Sequence, residues 1–335
     1  MTSPTVLVCG GAGYVGSHTC LRLAEAGFAP VVFDDLSNGH AEFVQWGPLE
    51  IGDIRDPARL DAVFARHRPV AVVHFAGLIE VGESTKFPAR FYDSNVVGAL
   101  SLIAAAQRAG VEAMVFSSTC ATYGDPQYVP MDEKHPQAPL NPYGRTKLMV
   151  EQALGDLDRY AGFRSVCLRY FNAAGADPQG RVGERHEPET HAIPLAIAAA
   201  MDAGKSFKIF GQDYQTPDGT AVRDYVHVLD LADAHVLALR YLLDGGASDV
   251  FNLGTGDGTS VRELVDAIGN VSGRNYQAAL AGRREGDAPV LVADNAKAKA
   301  VLGWSPQYDL KQIIQSAWRW HEAERARAAS AADPC

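Results

Sequence analysis

Gly10-Gly11-Ala12-Gly13-Tyr14-Val15-Gly16 follows directly on the apolar run Val6–Cys9 and leads into a stretch with helical spacing, Ser17–Ala26. Glycines let the backbone come close to a pyrophosphate, and a helix N-terminus adds free N–H groups and the positive end of a dipole. We therefore predict a strand, a glycine turn and a helix that begin a dinucleotide-binding βαβ unit. Cofactor contacts are expected from Gly10, Gly13, Tyr14, Val15 and Gly16.

Two carboxylates end the second apolar run. Val31–Phe33 is followed by Asp34 and Asp35, about 20 residues beyond the glycines. A carboxylate at this point accepts both ribose hydroxyls of NAD and repels the 2′-phosphate of NADP, so the sequence favours NAD. The alternative is a pair of turn-forming aspartates before Ser37-Asn38-Gly39. Ribose-side contacts are predicted from Asp34, Asp35 and Asn38.

Short apolar runs continue to alternate with helical patterns through the first half of the chain. Further strands are predicted at Leu49–Ile51, Val70–Phe75, Met114–Ser118 and Val166–Tyr170, and helices at Pro57–Arg66, Tyr92–Ala109 and Pro142–Tyr160. Continuous apolar strands between helices are typical of a parallel sheet covered on both faces. The predicted fold is α/β, a doubly wound Rossmann-type sheet, with ligands beyond the carboxyl ends of its strands.

After about residue 172 the alternation loosens. We predict a dinucleotide-binding domain over 1–172, a smaller α/β substrate lobe over 173–320 and a tail over 321–335. Segments around 225–260 regain strand and helix character and are expected to rejoin the main sheet. The two lobes would then be interleaved.

Composition excludes several classes of protein. The chain has 335 residues, 47% of them hydrophobic, with a net charge of −10, so disorder and nucleic-acid binding are not expected. Five cysteines without a C-x-x-C pair predict no disulfide scaffold and a reducing cytoplasm. No segment is long and apolar enough to predict a membrane span. His186 and His191 are separated by five positions with Pro188 between them, unlike a zincin helix, so no metal site is predicted.

A tyrosine and a lysine stand four positions apart in Asn141-Pro142-Tyr143-Gly144-Arg145-Thr146-Lys147. Asn141 is a suitable N-cap, which places Tyr143 and Lys147 on one face of a helix near its start. The lysine ammonium favours the phenolate, and a phenolate can take a proton while a nicotinamide takes a hydride. The hydroxyl of Thr119, at a predicted strand end, could assist. The alternative is a surface tyrosine beside a solvated lysine.

Together these motifs resemble the extended short-chain dehydrogenase/reductase superfamily and, within it, the UDP-glucose 4-epimerase family. The resemblance runs from the first strand to about residue 320. Beyond the glycine turn and the Tyr–Lys pair it is carried by His74–Leu78, Val81–Ser84, Arg169–Asn172, Val222–Val228, Asn252–Gly254 and Arg283–Asp287.

The resemblance implies a reaction and a role for each matching residue. A tightly held NAD⁺ removes hydride from C4 of a UDP-hexose, the 4-keto sugar rotates, and hydride returns to the opposite face. Tyr143 would be the base, Lys147 its electrostatic partner and a nicotinamide-ribose ligand, and Thr119 a hydroxyl aid. The remaining cofactor residues would be Asp53, Ile54, Phe75, Ala76, Gly77, Asn95, Ser117 and Tyr170. The UDP-sugar would meet Thr119, Tyr143, Asn172, His191, Phe210, Arg223, Arg284, Asp287 and Leu291. The resemblance also implies a homodimer.

Some positions depart from the family pattern, and several alternatives stay open. Ile79 replaces a common Lys, and Leu291 is smaller than the Tyr that excludes N-acetyl groups in some members, which predicts secondary activity on UDP-N-acetylglucosamine. Cys120 and Ala121 stand where dehydratases and decarboxylases of this scaffold carry acidic residues, which argues against both. A UDP-xylose/UDP-arabinose 4-epimerase and a non-catalytic NAD-sensing protein remain alternatives.

Overall fold

Strands and helices alternate in the computed structural model, which describes residues 3–274, 276–284 and 287–332. The strands are β1 (Thr5–Cys9), β2 (Ala29–Asp34), β3 (Leu49–Ile51), β4 (Ala71–His74), β5 (Ala113–Thr119), β6 (Arg164–Tyr170), β7 (Asn172–Ala174), β8 (Lys208–Phe210), β9 (Val222–Arg223), β10 (Tyr225–His227), β11 (Asp249–Leu253), β12 (Thr259–Ser260), β13 (Ala279–Ala281) and β14 (Val290–Leu291). The helices are α1 (Tyr14–Glu25), α2 (Pro57–His67), α3 (Val81–Lys86), α4 (Pro88–Phe91), α5 (Gly98–Arg108), α6 (Pro142–Ala161), α7 (Ala192–Met201), α8 (Val228–Leu243), α9 (Val261–Ser272), α10 (Ala296–Leu302) and α11 (Leu310–Ala332). A π-helical segment, Tyr92–Val97, joins α4 to α5.

The large sheet has the strand order β11-β6-β5-β4-β1-β2-β3 within the described chain. Every neighbouring pair is parallel, with Leu7 of β1 opposite Val31 on one side and Val72 on the other. The order reverses between β1 and β4, and such a reversal opens a crevice at the carboxyl ends of the strands. The predicted doubly wound α/β fold is confirmed.

Helices cover both faces of this sheet. Along β1, Val6 and Val8 belong to the core shared with α1 and α8, whereas Leu7 and Cys9 belong to the core shared with α2, α5 and α6. Side chains alternate between the two faces of a strand, so a strand buried on both sides is apolar throughout. This explains why β1 carries no polar alternation.

The chain after residue 174 builds smaller sheets and also returns to the large one. Strands β8 and β13 form one pair, and β9 pairs with β12 and β14. Their helices α7, α9 and α11 enclose a separate core that includes Ile197, Leu264 and Ile314. Strand β11 adds to the edge of the large sheet, and α8 packs on α1. The domain boundary at residue 172 stays a prediction, and α11 continues across residue 320, where Trp320 is buried.

None of the helices in the described part of the chain combines the length and the apolar character that crossing a membrane requires.

Candidate active site

A cavity of about 450 Å³ opens at the carboxyl ends of the large sheet. Every residue predicted to contact the cofactor lines it except Asn95. Among the predicted substrate residues, Thr119, Tyr143, Asn172 and His191 line it, whereas Phe210, Arg223, Arg284, Asp287 and Leu291 do not.

The glycine turn lies between β1 and α1, and the surrounding backbone leaves no space for a Cβ atom at Gly10 or Gly16. Gly10 has φ +79, and a Cβ there would lie 2.5 Å from the backbone nitrogen of Ala76. A Cβ on Gly16 would lie 2.2 Å from the carbonyl oxygen of Gly10. Gly13 is the N-cap of α1, and its carbonyl receives the N–H of Ser17, so the preceding N–H groups of the first turn have no intrahelical partner. This cradle fits the pyrophosphate of a dinucleotide.

Asp34 is held in place at the end of β2. Its carboxylate accepts the backbone N–H of Ala12 at 3.0 Å and that of Leu36 at 2.9 Å. Burial raises the pKa of Asp34, against the effect of these two hydrogen bonds. The carboxylate lines the cavity and fits a ribose diol. Further along the wall, Asp53 pairs with Arg55 at 2.5 Å.

Asn95 lies behind the cavity wall. Its side chain accepts the N–H of Leu78 at 2.8 Å and donates to the carbonyl of Leu78 at 2.9 Å and to Thr146 at 3.1 Å. These bonds fix the loop after β4, where Gly77 has φ +152 beside the Asn95 side chain. The structure places Asn95 as a support for the cavity-lining residues Phe75 to Gly77 rather than as a lining residue itself.

Tyr143 and Lys147 project from the first turns of α6 into this cavity. Asn141 caps α6 by accepting the N–H of Gly144 at 2.9 Å, with Pro142 at the first helical position. The ammonium of Lys147 donates to the carbonyl of Ser117 at 2.9 Å. At the end of β5, the hydroxyl oxygen of Thr119 accepts the N–H of Ala121 at 3.1 Å, so its own proton remains available.

Burial changes the proton affinities of these groups. It raises the pKa of Tyr143 above its usual value, and Tyr170 adds to the shift while Thr119 opposes it. It lowers the pKa of Lys147 to about 8, against the opposing charge of Glu151. Both shifts arise because burial disfavours the charged form of each group, the phenolate of Tyr143 and the ammonium of Lys147. A ligand that brings positive charge to Tyr143 would favour the phenolate.

The part of the cavity beside Tyr143 contains two further hydroxyls and a thiol. Ser117 and Tyr170 share a hydrogen bond of 2.5 Å. Burial raises the pKa of the Cys120 thiol to about 12, so the thiol stays protonated and cannot act as a base near neutral pH. The dehydratase and decarboxylase alternatives therefore gain no support from the residue after Thr119. Asn172 donates to the carbonyl of Asp224 at 3.0 Å from the same rim.

The predicted substrate residues outside the cavity lining contact one another in pairs. Arg223 of β9 forms an ion pair with Asp287, and the guanidinium of Arg284 lies 3.8 Å from the centre of the Phe210 ring. Leu291 of β14 stands opposite Arg223. It packs in a small cluster with Cys120 and Phe171, which do line the cavity, and with Tyr123, Met131 and Ala293.

The loop before α7 brings together four metal-ligating side chains, a feature that the sequence prediction missed. Glu184, His186, Glu189 and His191 offer ligand atoms within 4.8 Å of one another. The segment is not helical, so the test for a zincin helix could not detect them. The available signal was the clustering of two histidines and two glutamates within eight residues.

Comparison with known proteins places the chain in a family. Residues 6–254 match the NAD dependent epimerase/dehydratase family. The UDP-glucose 4-epimerase of Rhizobium leguminosarum bv. trifolii is 66% identical over 321 residues, which cover 96% of this chain and 98% of that protein. The crystal structure of UDP-glucose 4-epimerase from Brucella ovis in complex with NAD is 49% identical, with a TM-score of 0.91 over 95% of this chain and 98% of that one. The corresponding enzyme from Bifidobacterium longum, in complex with NAD⁺ and UDP, is 35% identical, with a TM-score of 0.90 over 96% and 99%. The chain belongs to the NAD dependent epimerase/dehydratase family.

Proposed function

We propose that this chain is an NAD-dependent isomerase that interconverts UDP-glucose and UDP-galactose. The observation that carries the proposal is the placement of Tyr143, Lys147 and Thr119 in the same cavity as the glycine cradle and Asp34. A dinucleotide held by the cradle would extend along this cavity towards the Tyr–Lys pair. The similarity to UDP-glucose 4-epimerases over nearly the full chain supports the same reaction.

The residues present fit NAD. The cradle of Gly10, Gly13 and Gly16 accepts the pyrophosphate, and Asp34 accepts a ribose diol and would repel a 2′-phosphate. When bound, NAD supplies a reversible hydride acceptor for C4 of the sugar.

Tyr143 is the proposed acid–base group. Its phenolate takes the proton of the C4 hydroxyl as the alcohol is oxidised, and the phenol returns that proton when the ketone is reduced. Lys147 lies one helical turn away with its ammonium 2.9 Å from the Ser117 carbonyl, which fixes the positive charge near this pair. Thr119 offers its hydroxyl proton to the reacting oxygen. No net oxidation occurs, so no external oxidant is needed.

The proposed nucleotide-sugar contacts lie at the rim. Arg223 and Arg284 provide two guanidinium groups for a diphosphate, Phe210 an aromatic face for uracil and Asp287 a carboxylate for ribose. Arg223 forms an ion pair with Asp287, and Arg284 lies over the ring of Phe210, so these four side chains lie as two neighbouring pairs.

Leu291 supports a secondary activity on UDP-N-acetylglucosamine. It lies beside Arg223 and packs against the cluster that contains the cavity residue Phe171, so its size would affect the space open to a sugar there. A leucine leaves more room for a 2-acetamido group than a tyrosine would.

A homodimer is the proposed assembly. The π-helical segment packs against α6, and both it and the neighbouring helices expose apolar side chains to solvent, namely Val97, Leu100 and Met149. Burying such side chains against a second copy would be favourable. Light scattering should give the mass of two chains, and Leu100→Glu with Met149→Glu should give one. A wild-type protein that is monomeric would contradict the assembly.

A reducing cytoplasm is the proposed location. Cys9, Cys20, Cys120 and Cys167 are free thiols in the structure. Free thiols persist where glutathione and thioredoxin keep the compartment reduced.

The function is tested by denaturing the purified protein, identifying the released nucleotide, and assaying UDP-galactose, UDP-N-acetylglucosamine and UDP-xylose side by side. The proposal expects NAD and fastest turnover of UDP-galactose. Protein without NAD that does not epimerise any of the three would reject the proposal, and fastest turnover of UDP-xylose would favour the pentose alternative.

A further inference from the structure

The loop between β7 and α7 is anchored so that four of its side chains face one point. Trp320 of α11 donates its indole N–H to the carbonyl of Glu184 at 2.9 Å. His191 is the N-cap residue of α7 and ends the loop. Arg185 turns away to pair with Glu42 and Glu324. The side chains of Glu184, His186, Glu189 and His191 remain on the inner side and are called the loop cluster below.

The distances within the loop cluster match those between ligands of one metal ion. His191 Nδ1 lies 3.0 Å from Glu184 Oε1 and 3.1 Å from Glu189 Oε1. His186 Nδ1 lies 3.5 Å from Glu184 Oε1 and 3.6 Å from Glu189 Oε2. Nitrogen and oxygen ligands about 2.0–2.1 Å from a tetrahedral zinc ion are separated from one another by about 3.3–3.4 Å. The two imidazole nitrogens and the carboxylate oxygens of Glu184 and Glu189 therefore lie at separations of 3.0 to 3.6 Å, close to those between ligands of one ion.

Hydrogen bonds within the cluster satisfy only some of these atoms. His191 Nδ1 faces two carboxylates but carries at most one proton, and its hydrogen bond goes to Glu189. Glu184 Oε1 and His186 Nδ1 are buried without a hydrogen-bond partner. Glu184 as a whole is only 4% exposed. The nitrogens nearest to this buried Glu184 oxygen also face Glu189, and a buried carboxylate oxygen left without its own hydrogen bond is costly unless a cation binds it.

We propose that Glu184, His186, Glu189 and His191 bind one divalent transition-metal ion of the zinc class. Two imidazole nitrogens favour zinc and its neighbours over magnesium and calcium, which prefer oxygen ligands throughout. The two carboxylates neutralise the charge of the ion when both histidines are neutral. The proposal replaces the sequence-based expectation that this segment binds no metal.

The bound ion would link the loop to the N-cap residue of α7, beside the glycine turn. The ring of His186 lies 6.2 Å from the ring of Tyr14, in an edge-on arrangement, and both residues line the cavity. Coordination through Nδ1 leaves the Nε2 of His191 protonated, so it could still donate a hydrogen bond to a ligand in the cavity. The ion's role is to position the loop; no step of the proposed reaction passes through it.

The test is Zn²⁺ binding by the full-length, tag-free protein, measured by elemental analysis and by calorimetric titration. Wild type should bind one Zn²⁺ per chain, and His186→Gln and Glu189→Gln should bind it at least about tenfold more weakly. Glu187→Gln is the matched control, because Glu187 lies in the same loop, is exposed and does not belong to the cluster. It should bind as wild type does.

Two further measurements separate lost coordination from misfolding. Wild type loaded with Co²⁺ should show the visible absorption of a four-coordinate site, a result that depends on no variant. Zn²⁺ should raise the thermal denaturation temperature of wild type and Glu187→Gln and leave that of His186→Gln unchanged. Wild type without stoichiometric Zn²⁺, or His186→Gln binding Zn²⁺ with wild-type affinity, would overturn the proposal.

Discussion

The residues predicted to bind the cofactor and those predicted to bind the substrate, called the cofactor side and the substrate side below, lie on different parts of the fold. On the cofactor side, Asp34 and the glycine turn stand at strand ends of one parallel sheet buried on both faces. On the substrate side, Arg223 and Leu291 stand on two-residue strands of a small sheet. The first set lines one cavity, whereas Arg223 pairs with Asp287 outside the residues that line it. All of the predicted cofactor residues but Asn95 therefore share one cavity, and the predicted substrate residues add side chains from a second, smaller sheet.

The largest effect is expected from Tyr143→Phe. Loss of the phenol removes general acid–base catalysis and should lower kcat by about 10²–10⁴-fold. The NAD content after purification should stay at the wild-type level, since the cradle and Asp34 are untouched. Steady-state kinetics and the absorbance of the released nucleotide measure the two quantities. Unchanged turnover of UDP-galactose would show that the active site lies elsewhere.

A substitution on the substrate side should weaken binding of the UDP-sugar rather than lower kcat. Arg223→Ala removes a charge-assisted hydrogen bond to the diphosphate, worth about 1.5–3 kcal/mol, and should raise KM for UDP-galactose by about 10- to 100-fold. Bound NAD should be unaffected. Arg283→Ala is the matched control, because Arg283 pairs with the exposed Asp213 at 2.7 Å. An equal rise in KM for both variants would argue against a specific role for Arg223.

Sugar selectivity should respond to the size of the side chain at Leu291. Leu291→Tyr fills the space beside the sugar and should lower kcat/KM for UDP-N-acetylglucosamine by about tenfold relative to UDP-galactose. The ratio of the two kcat/KM values is the measurement. A ratio that does not change would remove Leu291 from the determinants of selectivity.

The smallest effect is expected in the pH dependence of the free energy of unfolding, which should depend on the buried Lys147 of the cavity and not on the exposed Arg284 of the substrate side. Folded protein releases the Lys147 proton at about pH 8, whereas the ordinary pKa is 10.5, so the unfolded chain binds more protons between these values. The free energy of unfolding of nucleotide-free wild type should rise with pH above 8, relative to Lys147→Met, by up to about 1.4 kcal/mol per pH unit. Denaturant titrations at pH 8 and 9 measure it.

The control for this prediction lies on the substrate side. Arg284 is exposed, so Arg284→Met should leave the pH dependence of unfolding as it is in wild type. A wild-type stability that falls relative to Lys147→Met between pH 8 and 9 would contradict the sign given above.

The cofactor side could be predicted from the sequence more completely than the substrate side, for a physical reason. Gly10 to Gly16, Asp34 and the Tyr143–Lys147 pair are local patterns, since each depends on a turn, a strand end or one helix face. The two-residue strands β9 and β14 carry no periodicity, so the pairing of Leu291 with Arg223 could not be read from the sequence. Asn95 stays a predicted cofactor residue, and its two hydrogen bonds to the Leu78 backbone depend on a contact 17 residues apart that no local pattern indicates.

The most direct test of a single reaction shared by both sides uses UDP-galactose deuterated at C4. Hydride that leaves C4 for a retained NAD and returns to the opposite face never exchanges with water. The account predicts UDP-glucose that keeps the deuterium at C4 when the reaction is run in ordinary water. Loss of the deuterium to solvent during conversion would contradict it.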